Sequence, residues 1–282
     1  HRVLMGQCPL HLMAKARAAL PMYDAPELRA ANSAFWHALA KTLRTHGIDD
    51  VPDDLTQVTD LQSLWSDPDL LFSQTCGYPL THGLCGEATL IATPIYNVAE
   101  CEGPFYGSAI IVSRDSPIQT VIDAKNHIAA INGYDSNTGM NLFRISLARA
   151  GARGQFFSKV IVTGAHRESL KAVIDGKADI ASIDVVSLAH FISFDPRLAE
   201  KFRIIGHTPK TPGLPFITSG KKSEATRYVL QTALLSIIRQ TPRAPWLDML
   251  KIKDATIIPR EDYDAIVALE NEARALGYPE LR

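Results

Sequence analysis

Between residues 108 and 206, four short β-rich apolar runs follow one another: SAIIVS (108–113), HIAAI (127–131), KVIVT (159–163) and DIASI (179–183). Helix-like spacing follows each of the last three. Met140, Phe143 and Leu147 share a face over 138–150, and Leu170, Val173 and Ile174 do so over 168–176, ahead of Gly176. Strands that alternate with helices predict parallel sheets covered on both faces. The same rhythm opens the chain. AALPMYD predicts a strand ending at Tyr23 and Asp24, and PELRAANSAFWHALAKTLRTHG a crossover helix with Leu28, Ala31, Phe35, Leu39 and Leu43 on one side. LLFSQTCGYPL (70–80) predicts a buried strand running into a Gly-Tyr-Pro turn.

Two Pro- and Gly-rich passages, ECEGPFYGS (100–108) and GHTPKTPGLPF (206–216), interrupt this order. They are expected to be two crossings between lobes. One lobe then comprises 1–107 plus 207–282 and the other 108–206, which makes an α/β, two-lobed chain.

At 282 residues and 46% hydrophobic content, the chain is long enough for a substantial core. A net charge of −1 gives extended nucleic-acid binding no electrostatic footing, so any anion site is local. The richest apolar segment, YVLQTALLSIIRQ, is broken by Gln, Thr, Ser and Arg and is too short to span a bilayer. The opening HRVLMGQCPLHLMAKARAAL has basic residues but no long apolar stretch, which makes a poor signal peptide. Four cysteines, Cys8, Cys76, Cys85 and Cys101, fit no CxxC zinc or redox spacing, and no metal or cofactor is expected. The segment from Cys85 to Cys101 predicts strand, turn, strand, which favours a disulfide between them and an oxidising compartment. Free buried thiols are the alternative, and the pairing of Cys8 and Cys76 stays open.

Ligands of open parallel sheets sit beyond the carboxyl ends of strands, where helix N-termini present free N–H groups. Five strand-end loops are rich in polar residues: MYDAP (22–26), TCGYP (75–79), NGYDSNTGMN (132–141), TGAHRES (163–169) and IDVVS (183–187). Ser136, Asn137 and Thr138 either cap the helix behind them or donate to an anion. His166 opens a helix, where either ring nitrogen can donate to a bound oxygen. Asp184 is either an N-cap or an acceptor for a ligand's donor. Tyr23 and Tyr78 end strands of the other lobe and can stack on a ligand, and Asp24 adds an acid that suits a cationic ligand group. No GxxxxGK, GxGxxG, GxSxG or HExxH motif is present, so neither a nucleotide nor a familiar catalytic apparatus is indicated.

The segments GYP (77–79), YGSAIIVSRDSPIQTVIDAK (106–125), NGYDSNTGMN (132–141), GAHRESLKAVIDGKADIASID (164–184) and PGLPFITS (212–219) cover about half the chain. In this order they resemble the phosphate/phosphite/phosphonate substrate-binding proteins of ABC importers. That resemblance implies a type II periplasmic binding fold: two lobes, each a mostly parallel sheet flanked by helices, closing like a flytrap on a small ligand. It implies a periplasmic monomer, its leader removed or missing, that delivers its ligand to an inner-membrane permease. It places the family's Ser-Thr-Ser anion loop on Ser136, Asn137 and Thr138, with Asn137 departing from the hydroxyl pattern. The helix-start histidine falls on His166, the acidic position on Asp184, and the aromatic positions on Tyr78 and Tyr23. Three alternatives remain: a receptor for a small organic ligand without phosphorus, a lyase-like enzyme on this fold using His166, Asp184 or Asp24 as base, and the effector domain of a regulator.

Overall fold

The computed structural model describes residues 16–282; Cys8 lies outside them. Twelve strands occupy Arg17–Ala19 (β1), Leu70–Gln74 (β2), Ala88–Tyr96 (β3), Phe105–Tyr106 (β4), Ser108–Ser113 (β5), Ile128–Ile131 (β6), Lys159–Val162 (β7), Ile180–Asp184 (β8), Phe202–His207 (β9), Thr211–Pro212 (β10), Phe216–Ser219 (β11) and Ile252–Thr256 (β12). The α-helices are Arg29–Thr45 (α1), Leu61–Trp65 (α2), Gly77–His82 (α3), Leu142–Arg149 (α4), His166–Ile174 (α5), Val185–Phe194 (α6), Glu224–Ile238 (α7), Pro245–Met249 (α8) and Asp264–Ala275 (α9).

Two five-stranded sheets form, in the orders β1-β2-β11-β3-β12 and β7-β6-β8-β5-β9. Each is the centre of one lobe. The expected parallel pairing holds for β1 with β2 and for β6 with β7 and β8. The remaining pairings within the two sheets are antiparallel: β3 with β12, and the four made by β5 and β11, which the path of the chain explains. β5 and β11 begin just after the chain leaves the connecting segments, so they run opposite to neighbours whose C-termini point the other way. The two Pro- and Gly-rich passages pair with each other: β4 and β10 make an antiparallel ribbon between the lobes.

Helix α1 packs as its spacing predicts, with Phe35, Trp36, Leu39 and Leu43 buried. Phe35 meets Phe72, Phe216 and Trp246 at ring separations of 6.0, 5.6 and 5.2 Å. Each such ring contributes about 1.5–3 kcal/mol by leaving water, which holds the helix across the first sheet.

Three expectations need correction. The first strand ends at Ala19, so Tyr23 and Asp24 stand on the loop beyond it. Gly77, Tyr78 and Pro79 start α3 rather than a turn. Cys85 and Cys101 are free, because a single nine-residue strand, β3, separates them. At about 3.3 Å per residue, such a strand holds its ends roughly 30 Å apart, far beyond the ~4.4–6.8 Å between Cα atoms that a disulfide requires.

The C-terminal helix α9 packs on the surroundings of both sheets. Tyr263 and Ile266 join a cluster with Leu64, Leu70 and Ile217. Ala273, Tyr278 and Leu281 pack instead with Ile110, Phe143 and Phe157 of the second lobe. The Arg144 guanidinium donates to the carbonyl of Pro279 at 2.7 Å, and the Phe156 amide to that of Arg282 at 2.8 Å. The α9 segment therefore bridges the lobes as a third connection.

Candidate functional site

The loops that follow β6, β7 and β8 supply one wall of a cavity of about 490 Å³ between the lobes, and the loop after β1 supplies the facing wall. Ser136 comes first in the second-lobe wall. Its Oγ accepts from the Gly139 amide at 3.0 Å, so Ser136 caps a π-helical turn, Asn137–Asn141, that leads into α4. The wide turn needs Gly139: a Cβ there would lie 1.8 Å from Asn132 Oδ1 and 3.1 Å from the Ser136 hydroxyl. Thr138 is held from behind, its carbonyl accepting from the Ser108 hydroxyl at 2.9 Å and the Ser182 hydroxyl at 2.7 Å. Its own Oγ1 lies 3.0 Å from His166 Nε2. His166 stands at the first position of α5, and its Nδ1 is buried without a partner. Burial pushes its pKa down to about 4, which leaves a neutral imidazole that donates from one nitrogen and accepts at the other.

Asp184 ends β8 and takes both roles open to it. Its Oδ1 caps α6 by accepting from the Ser187 amide at 2.7 Å, and the Tyr23 hydroxyl donates to the same carboxylate at 3.1 and 3.3 Å across the cleft. Burial raises its pKa to about 6 against these hydrogen bonds. Tyr23 packs edge-on to Tyr96 at 5.6 Å, and its carbonyl accepts from Asn32 Nδ2 at 3.1 Å. Asp24, also on the cavity wall, has its carboxyl raised by partial burial although Arg29 Nε is 3.7 Å away.

Two expected site residues point elsewhere. Asn137 is 0% exposed; its Nδ2 donates to Thr211 Oγ1 at 2.8 Å and its Oδ1 accepts from Asn141 at 3.2 Å. Its carboxamide ties the anion loop to the connecting ribbon, so the departure from the family's hydroxyl pattern falls outside the ligand space. Tyr78 stacks on His82 with 3.8 Å between ring centroids and donates to Glu270 of α9 at 3.2 Å. Its ring is absent from the cavity wall.

The wall also includes residues that strand-end loops alone do not reveal. Cys76, whose thiol burial lifts to about 11, stays protonated. Ser187 and His190 follow Asp184 at three-residue intervals on α6, a spacing that marks one helix face. Among the described residues, Arg167 is the one Lys or Arg on the wall, which also carries Asp24, Asp135, Glu168 and Asp184. Glu27 takes up its charge across the rim at 3.1 Å. The wall thus offers neutral donors and helix starts, and its one cation is already paired.

Two mixed α/β lobes, a paired connecting ribbon and a cleft walled by helix N-termini define a solute-binding protein of the type II periplasmic class. The family model described as "ABC transporter, phosphonate, periplasmic substrate-binding protein" matches residues 18–263, and the chain belongs to that family. Its members are substrate-binding receptors of ABC transporters rather than enzymes, which implies a small-molecule ligand, a membrane permease partner and a periplasmic location. Among solved structures, the fold is similar to PhnD1 from Prochlorococcus marinus in complex with methylphosphonate. The TM-score is 0.76 at 16% identity, over 92% of this chain and 98% of that one. A binding protein component of an ABC phosphonate transporter from Pseudomonas aeruginosa gives 0.75 at 15% identity, covering 93% and 87%. XAC2383 from Xanthomonas citri, bound to chloride, gives 0.72 at 14%, covering 93% and 98%. No curated protein sequence matches the chain.

Proposed function

We propose that this receptor captures a phosphonate in the cleft, with the oxyanion held by Thr138 Oγ1, the His166 ring and the amides that start the turn at Asn137 and helix α5. The supporting observation is the Thr138–His166 pair at 3.0 Å, at the starts of two helical elements, with its second imidazole nitrogen unsatisfied. A tetrahedral oxyanion fills that gap with several charge-assisted hydrogen bonds. Ser136 supports the turn that presents these donors, and Tyr23, Asp24 and Asp184 close over the rest of the ligand.

Closure takes place about the β4–β10 ribbon, between a body of residues 1–107 plus 207–282 and a body of residues 108–206. The end of α9 travels with the second body. The protein acts as a monomer and hands its cargo to an inner-membrane permease.

Titration calorimetry with methylphosphonate, phosphite, phosphate and a non-phosphorus acid tests this. Methylphosphonate is expected to bind, and Thr138→Val to weaken it by roughly ten-fold or more, the cost of a hydrogen bond to a charged group, with the melting temperature nearly unchanged. Absence of heat with every phosphorus oxyanion would sink the assignment.

A further inference from the structure

His190 has no part in the oxyanion end of the cleft, and packing alone does not account for it. Asp184, Ser187 and His190 recur every three residues, so one side of α6 carries the Asp184 carboxylate, then a hydroxyl, then the imidazole, with Phe191 and Phe194 beside them. His190 lines the cavity yet is 2% exposed, 5.9 Å from the Tyr23 ring and stacked on Phe194 at 5.9 Å. Neither ring nitrogen has a hydrogen-bond partner. Burial, reinforced by the Lys251 charge, lowers its pKa to about 4, so the ring is neutral at pH 7, with one unmet donor and one unmet acceptor. A phenylalanine would stack as well without the ~1–3 kcal/mol that each buried unsatisfied polar atom costs.

The space nearby is ample. The cavity of about 490 Å³ corresponds to roughly sixteen waters at ~30 Å³ each, well beyond a one-carbon phosphonate. The Asp184 carboxylate, already bonded by Tyr23 and Ser187, still has acceptor sites.

Building on the receptor reading above, we propose that His190 and Asp184 form a second polar subsite that binds a hydroxyl group of the ligand, so that hydroxyalkyl phosphonates are selected over plain alkyl ones. A hydroxyl donates to Asp184 and accepts from the imidazole N–H, so it answers both groups. A carboxylate would meet Asp184 as a like charge. An ammonium can donate both to Asp184 and to the acceptor nitrogen of the imidazole, so the amine is the competing group that the aminoethyl compound tests.

Calorimetry with methylphosphonate, 2-hydroxyethylphosphonate and 2-aminoethylphosphonate, on the wild type, His190→Phe and His190→Gln, tests the subsite. The wild type is expected to bind the hydroxyethyl compound about ten-fold tighter than methylphosphonate, as one added buried hydrogen bond would give. His190→Phe keeps the ring stacking and should erase that preference, leaving methylphosphonate within about two-fold; His190→Gln should retain part of it. Equal losses for all three compounds in His190→Phe would reveal a structural role and overturn the proposal. So would a preference for the amine that survives the substitution. Methylphosphonate binding without hydroxyl preference overturns this subsite alone, whereas no binding of any phosphonate overturns the receptor reading with it.

Discussion

The two walls of the cleft are built to different standards. On the second-lobe side, Thr138, His166 and Asp184 stand beyond the ends of three adjacent strands, β6, β7 and β8, and hydroxyls from β5 and β8 clamp the Thr138 carbonyl. On the first-lobe side, Tyr23 and Asp24 ride a loop behind a three-residue strand, held by the Asn32 bond and the Tyr96 contact. A receptor that must recognise an oxyanion before closing benefits from one pre-organised wall, since donors already in place lose little entropy on binding. The second wall needs only to arrive.

The rigid wall is where a small change does most damage. Gly139→Ala puts a methyl group 1.8 Å from Asn132 Oδ1 in a buried turn. Displacing Asn132 and the Ser136 cap should cost about 1–3 kcal/mol of stability, as overpacking does, and lower phosphonate affinity by more than ten-fold. Gly133→Ala is the matched control: its methyl would meet the Asp135 carboxylate at 2.5 Å, but Asp135 is exposed and free to swing away. Equal effects of the two substitutions on melting and binding would show that the turn is not the stiff element.

The same wall carries a stability cost, and pH exposes it. Asp184 has a folded-state pKa of about 6 against an ordinary value of 3.8, so the folded protein binds this proton more tightly than the unfolded chain. The cost of the buried carboxylate is therefore fully present above about pH 6 and is relieved as pH falls from about 6 towards 4, on the order of 2–3 kcal/mol in all. Asparagine caps a helix as well as aspartate does. Asp184→Asn should melt several degrees higher than wild type at pH 7.5, at roughly 2–4 °C per kcal/mol for a chain this long. The gap should close near pH 4.5. His166 and His190, both depressed to about 4, lose stability over that window in both proteins, so the difference isolates Asp184. A gap that stays constant with pH would mean that burial does not tax this carboxylate.

The unequal walls also explain what could be read from sequence. Thr138, His166 and Asp184 were legible because strand ends are marked by local pattern and the loops beyond them must converge. Helix α1 and strands β5 to β8 were legible for the same reason, since their periodicity reflects burial against one sheet. Asn137 and Tyr78 were misplaced because the direction of each side chain depends on distant partners, Thr211 on the ribbon and Glu270 on α9. The Cys85–Cys101 pairing failed on the length of one strand, because most of the segment expected to fold as strand, turn, strand is the single strand β3. His190 escaped notice because it sits in a stripe of Leu and Phe, where a buried histidine is indistinguishable from core until its unpaired nitrogens are seen.

The smallest effect concerns how the mobile wall is retained once it arrives. Arg167 Nη2 lies 3.1 Å from both Glu27 carboxylate oxygens across the rim, and its guanidinium rests over Phe191 at 5.2 Å and Phe194 at 5.8 Å. The aromatic faces hold the cation in position, so little side-chain entropy remains to be lost when Glu27 approaches. Both partners are about 40% exposed, which limits the pair to roughly 0.2–1 kcal/mol. Glu27→Gln should thus speed phosphonate release by no more than about five-fold at low ionic strength, measured by stopped-flow fluorescence. The difference should vanish near 0.5 M salt, where screening shortens to a few ångströms. Release that is unchanged at low salt would leave closure to the Tyr23–Asp184 bond and the ligand itself, and the mobile wall would then depend wholly on what the rigid wall has already bound.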